Sequence, residues 1–273
     1  MAIDLAVALI QATVQLEAPY GDGTRNVGTG FLVEAPGPDG RPRVVLITAE
    51  HVLTRMPAET MTIGYRASNT DGTWKYEPQS VKIRNGKSPL WVAEAGRDVA
   101  AIEVVADAKT EKMAIPEGWL ADDAAFAADD IGPGEEMMTL GYPWGMASNG
   151  AGFPILRSGK VASYPIAPSR QFPTFLLDFS VFPGNSGGPV FVKKGDGDKA
   201  HVLVTGLMSQ QLGTGDQPLE IGVVVQADYI RQTISLLNQP SSVRHMASNV
   251  ATPPHTPPPE AFSATSAAAQ VRD

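Results

Sequence analysis

The chain has 273 residues, 43% of them apolar, enough to bury one large core or two small ones. Charged residues make up 18% with a formal net charge of -8 and no run of Lys or Arg, which disfavours a nucleic-acid or anionic-membrane surface as the main partner. Cysteine is absent, so disulfides, thiolate chemistry and Cys-based zinc sites are excluded, and the composition suits a reducing compartment.

The N-terminal stretch MAIDLAVALIQATVQL is apolar, but Asp4 interrupts it and no Lys or Arg precedes it. It reads as the first structural element and not as a signal peptide. No stretch reaches the roughly 18 to 20 apolar residues of a membrane span, so the expected location is cytoplasmic. Strand-like runs follow one another: ALIQATVQLE, NVGTGFLVEA, RVVLITAEHV, TMTIGYRAS, TWKYEPQSVKI and DVAAIEVV, rich in β-branched and aromatic residues. Asp39-Gly40 supplies the positive φ of a hairpin turn between two of them. Residues 107–135 lose the alternation and read as a connector holding a short helix.

Strand patterns resume as EMMTLGYP, FPILRSGKVASYP, FPTFLLDFSVF, GPVFVKKG, AHVLVTGLMSQ and EIGVVVQA. Two groups of about six strands predict an all-β fold of two six-stranded antiparallel barrels: the first over 1–106, the second over 136–239. Within the latter, ADYIRQTISLLNQ sets Ile230, Ile234 and Leu237 on one face of a C-terminal helix expected to pack on the second barrel. Residues 240–273 are rich in Pro, Ser and Ala and poor in large apolar residues, the composition of a disordered tail.

Three stretches carry possible chemistry. In VFPGNSGGPVFV, Ser186 sits on a turn with Gly184 before it and Gly187 and Gly188 after it. A serine nucleophile needs a base, a group orienting that base, and backbone N–H donors for the oxyanion, and such a loop can supply the donors from Gly184 and Ser186. The plain alternative is a Gly-rich hairpin with an incidental serine. Of the four histidines, His245 and His255 lie in the tail and His201 flanks a solvated hairpin, whereas His51 ends an apolar strand in VVLITAEHVL. Asp98, after Gly96 in AGRDVAAIEV, heads a strand at what would be the same barrel end. Each alone reads as structural; together, in the order His51, Asp98, Ser186, they point to nucleophilic acyl transfer.

These motifs resemble those of chymotrypsin-fold serine peptidases: TAEHV the histidine motif, DVAAIEV the aspartate motif and GNSGGPV the nucleophile motif, over roughly residues 8–238. The resemblance implies a serine endopeptidase with a His51-Asp98-Ser186 triad, an oxyanion hole from the Gly184 and Ser186 amides, a polypeptide substrate, and no metal or organic cofactor. VTGLMSQQ is similar to the strand that pairs with substrate, which implies Ser209 beside Asp98 and Gln210 and Gln211 along the peptide. EIGVVV resembles a pocket wall kept open by Gly222, and Ser180 falls at the pocket floor. Absence of an acidic floor residue disfavours basic P1 side chains, and an apolar P1 is expected.

Asn185 stands where digestive members carry the aspartate that pairs with a newly cut N-terminus, so activation by such cleavage is not expected. GYPWG and LRSGKVAS resemble the high-temperature-requirement and other bacterial intracellular branches, with no PDZ-sized segment after the barrel. Glu50 is unusual beside the base. Two other readings stay open: a latent peptidase ordered by a partner, and a non-enzymatic module that binds peptides or offers TPPHTPPPE to a tail-binding protein.

Overall fold

The computed structural model describes residues 5–20, 24–105, 108–214 and 217–239. Segment 240–273, with the expected disordered tail, His245 and His255, lies outside them. The chain opens with a helix, α1 (Leu5–Ala12), where ALIQATVQLE had suggested a strand; strand β1 is confined to Thr13–Pro19. Residues 5–10 are apolar without alternation, so no sheet face is specified, and the run coils to bury Leu9 and Ala12. The Thr13 hydroxyl donates to the Leu9 carbonyl at 2.7 Å where helix gives way to strand.

A hairpin follows, β2 (Arg25–Pro36) and β3 (Pro42–Thr48), with Gly40 of its turn at φ +76°. The strand ends before His51, which lies in a short helix, α2 (Glu50–Thr54). Beyond it come β4 (Thr60–Ser68), β5 (Trp74–Lys82) and three two-residue strands, β6 (Arg84–Asn85), β7 (Ser88–Pro89) and β8 (Val92–Ala93), then β9 (Ala100–Val104). The connector holds more order than one short helix: α3 (Ala108–Glu111), β10 (Ile115–Pro116) and α4 (Asp123–Ala128). The Asp122 side chain caps α4 by accepting the Ala125 N–H at 2.8 Å.

The second half runs through β11 (Glu136–Gly141), β12 (Ile155–Val161), β13 (Thr174–Asp178), β14 (Pro189–Lys194), β15 (His201–Thr214) and β16 (Gln217–Gln226). These six close into a barrel in the order β11-β12-β13-β16-β15-β14. The N-terminal sheet is ordered β5-β4-β1-β2-β3-β9-β8, with β10 added in parallel to β2. The architecture is the expected all-β, chymotrypsin-like one, with the second half closed as six strands. The first half departs from the expected six antiparallel strands: its sheet counts eight, because the two-residue β8 and, in parallel, β10 of the connector join it. Helix α5 (Ala227–Leu236) follows, and Ile230, Ile234 and Leu237 are buried as their spacing predicts. That face packs against β8 and β9 as well as β15 and β16, so the helix joins the two halves.

The register of the first sheet positions the site. Gly30 pairs with Thr48, and Thr48 with Ala100. The strands preceding His51 and following Asp98 are therefore antiparallel neighbours, and both residues emerge at one sheet end, beside Thr29 of β2.

Candidate active site

Helix α2 begins without a local cap: Ala49 offers no side-chain acceptor. The Asp98 carboxylate supplies one instead, accepting the His51 backbone N–H on Oδ1 at 3.0 Å while its Oδ2 lies 2.7 Å from His51 Nδ1. One carboxylate thus satisfies an orphan amide of the helical turn and fixes the imidazole. The closeness of α2 to the sheet depends on Gly28, where a Cβ would come within 2.4 Å of Val52. Asp98 follows the turn at Gly96, whose φ is +72°, and receives a further short hydrogen bond from the Ser209 hydroxyl. Ser209 sits where the register of β15 against β16 shifts, a bulge that turns its side chain toward Asp98.

Burial pushes the Asp98 carboxyl up, but the hydrogen bonds from His51 and Ser209 and the charge on His51 outweigh it and hold it below the usual carboxylate range. An ionised carboxylate only accepts, so Nδ1 carries the proton and Nε2 keeps its lone pair free for a proton in transit. At Glu50, the neighbouring residue, burial raises the carboxyl, Asp98 raises it further, and His51 offsets part of the rise.

The loop before β14 presents Ser186 to the same cleft. Its hydroxyl donates to the Ser209 carbonyl at 2.8 Å, and among the described residues it makes no hydrogen bond to His51. Gly184 lies at φ +98°, where a Cβ would fall 2.1 Å from the Tyr142 carbonyl oxygen; Gly187 lies at φ +88°, where one would fall 2.1 Å from that of Thr29. Glycine is required at both. Among the described residues the N–H groups of Gly184 and Ser186 donate to no protein acceptor, while those of Asn185, Gly187 and Gly188 bond to Phe182, Met208 and Asn185.

A cleft of about 910 Å³ brings together His51, Asp98, Ser186, Ser209, Gln210 and Gln211, together with Glu50, Arg55, Arg97, Val181, Phe182, Val223 and Val225. Ser180 and Gly222 do not line it. The Ser180 carbonyl accepts from Arg157 Nη1 at 2.8 Å, and a Cβ on Gly222 would meet Met208 and Val181, each at 3.0 Å. Arg55 and Arg97 went unread in the sequence, although one lies a helical turn after His51 and the other directly precedes Asp98. Arg157 was missed too; its guanidinium stacks 4.2 Å from the Phe179 ring centroid and 5.1 Å from that of Phe182. No group of His, Asp and Glu among the described residues is arranged to hold a metal ion.

Residues 28–196, more than half of the chain, match the trypsin-like peptidase domain. The chain belongs to the trypsin-like peptidase family. Among solved structures, this peptidase-family chain is similar to a variant of the HtrA-type protease AlgW with a tripeptide, at 15% identity and a TM-score of 0.52 over 88% of this chain and 65% of that one. A second AlgW structure with a tripeptide gives 15% identity and 0.49, over 87% and 64%. Protease Anisep from Arthrobacter nicotinovorans gives 16% and 0.48, over 84% and 95%. The chain thus spans just under two thirds of the length of the AlgW chains. No curated protein matches it. No helix among the described residues is long and apolar enough to cross a membrane.

Proposed function

We propose that this trypsin-like peptidase is a serine endopeptidase acting through His51, Asp98 and Ser186. The observation that carries the reading is a serine hydroxyl and a carboxylate-held imidazole on one cleft, the serine on a loop whose Gly184 and Ser186 amides donate to no protein acceptor among the described residues. Ser186 Oγ attacks the scissile carbonyl as His51 Nε2 takes its proton, and Asp98 steadies the imidazolium that forms. The Gly184 and Ser186 amides receive the negative oxygen. His51 then protonates the leaving amine, and water, deprotonated by the same imidazole, releases the acyl group. The resting hydroxyl is bonded to the Ser209 carbonyl, so attack requires it to leave that acceptor for His51 Nε2.

A polypeptide would lie along Gln210 and Gln211 and seat an apolar P1 side chain, a preference supported by Val181, Val223 and Val225 in the wall. We assign the protein to the cytoplasm on its cysteine-free composition. A second reading, a peptidase latent until a partner engages it, draws on the Ser186-to-Ser209 bond.

A fluorophosphonate probe tests both. Wild type is expected to be labelled at Ser186 alone, from the first time point, and to cleave members of a peptide library. Ser186→Ala is expected to lose labelling and at least about 10³-fold in turnover. Folded wild type that stays unlabelled would sink the constitutive reading, and labelling that begins only after a lag or with added cell extract would favour the latent one.

A further inference from the structure

We infer that the Thr29 hydroxyl is the positioning group that keeps the oxyanion loop assembled, so that the protein needs neither N-terminal cleavage nor a partner to become active. The inference rests on the peptidase reading and deepens it. A trans peptide points its N–H and its carbonyl in opposite directions, so an amide is aimed by whatever holds the carbonyl of the same peptide unit. The Gly184 amide shares a unit with the Pro183 carbonyl, which accepts from the Trp144 N–H at 2.6 Å. The Ser186 amide shares one with the Asn185 carbonyl, which accepts from the Gly188 N–H at 3.1 Å. The two carbonyls between and after them go to one residue. The Thr29 hydroxyl donates to the Gly184 carbonyl at 2.6 Å, and the Thr29 N–H donates to the Ser186 carbonyl at 2.9 Å.

Four successive carbonyls, 183 to 186, are therefore fixed, and both amides needed for an oxyanion are left over. Three of the four donors are backbone groups that any residue would supply. The fourth, at Gly184, is a side chain, and it is the one the sequence chooses. Thr29 is fully buried, and its oxygen also accepts the Tyr142 N–H at 3.2 Å, tying the loop to the segment that carries Trp144. Gly184 has no Cβ to resist a peptide flip, and Asn185 has no charge with which to hold an N-terminal amine. Without the hydroxyl, the Gly184 carbonyl would be buried without its donor. The Gly184–Asn185 peptide, whose own N–H is the Asn185 one and not an oxyanion donor, joins the two units that carry the oxyanion amides, so its turning to find a partner would carry both amides out of line.

The experiment compares full-length wild type, Thr29→Val and Thr29→Ser. It measures the rate of Ser186 labelling by fluorophosphonate, kcat and KM on a cleaved peptide, and affinity for a peptide boronic acid against the matching product peptide. Thr29→Val is expected to lower labelling and kcat about 10- to 100-fold. Boronate affinity should fall in step, with product affinity and KM nearly unchanged, because only the tetrahedral adduct uses the hole; Thr29→Ser should stay near wild type. A merely structural role would lower the melting temperature without separating boronate from product. If melting shows Thr29→Val to be unfolded, Thr29→Ala against Thr29→Ser makes the same comparison. Wild-type rates in a folded Val or Ala variant would overturn the inference while leaving the peptidase reading intact. Wild type that labels only after a lag would overturn partner independence, and wild type never labelled would defeat the peptidase reading itself.

Discussion

Glu50 is the residue whose chemistry the triad does not use. It lines the cleft one position before His51, and burial together with the Asp98 charge raises its carboxyl above the ordinary value. A folded pKa above the unfolded value of about 4.3 means that the stability tied to this group is fully present below about pH 4. That stability is lost as pH rises through the folded value. Glu50→Gln is uncharged throughout and escapes the loss. It is expected to melt up to about 2 °C above wild type at pH 7.5 and level with it at pH 4, a small gain because solvent screens a half-exposed carboxylate. Melting curves at the two pH values check this, and a variant less stable than wild type at pH 7.5 would show that Glu50 is held by a favourable contact. Asp98 titrates in the opposite sense: its folded pKa is depressed, so its contribution is present above about pH 3.9 and lost as acid carries pH down through the folded value.

At the scale of the element, the loop from Pro183 to Gly188 is stiff because of what surrounds it. Gly187→Ala would put a methyl group 2.1 Å from the Thr29 carbonyl oxygen and 2.3 Å from the Thr48 hydroxyl, at a φ of +88° that alanine avoids. The loop must shift, so Ser186 labelling is expected to fall at least about 100-fold while the far-ultraviolet circular dichroism of the barrels stays as in wild type; undiminished labelling would mean that the loop tolerates displacement. GNSGG was legible in the sequence because its glycines are local. Most strands were legible too, since β-branched and aromatic residues at short spacing are written locally, even where burial is continuous, as in β2 and β4, and does not alternate as it does in β13. Helix α1 was not, because Leu5 to Ile10 carry no alternation to contradict either form. The helical turn at His51 was not, because its cap is a carboxylate 47 positions away. Thr29 was invisible for the same reason: the partners of its hydroxyl and its N–H lie more than a hundred positions away along the chain, at Tyr142, Gly184 and Ser186.

Across the whole molecule the two halves meet on a buried cation. Arg66 of β4 is 2% exposed, with no carboxylate near enough to pair with it among the described residues. Its Nη1 donates to the Tyr142 hydroxyl at 2.9 Å and the Gly152 carbonyl at 3.1 Å. Its Nη2 donates to the carbonyls of Gln11 at 2.7 Å and Thr13 at 2.6 Å, and the Phe153 ring centroid lies 4.9 Å from the guanidinium. Burial lowers the guanidinium's pKa, yet an arginine keeps its proton, and the charge is held by neutral dipoles from both halves. Burial also drives the Tyr142 hydroxyl up to about 12, so it stays protonated and can donate onward. Swapping a complete buried ion pair for apolar residues is often neutral, but here the acceptors are backbone carbonyls that cannot be removed with the cation. Arg66→Met is therefore expected to strand the Gln11 carbonyl, to leave the single Tyr142 O–H to serve both the Thr13 and Gly152 carbonyls, and to lower the melting temperature by about 10 °C. Arg41→Met, at a side chain 87% exposed, should move it by less than about 1 °C. Because Tyr142 also gives its N–H to Thr29, Ser186 labelling in Arg66→Met should fail at a lower temperature than in wild type, in step with unfolding. A folded Arg66→Met with wild-type melting would show that the cation contributes position without net stability.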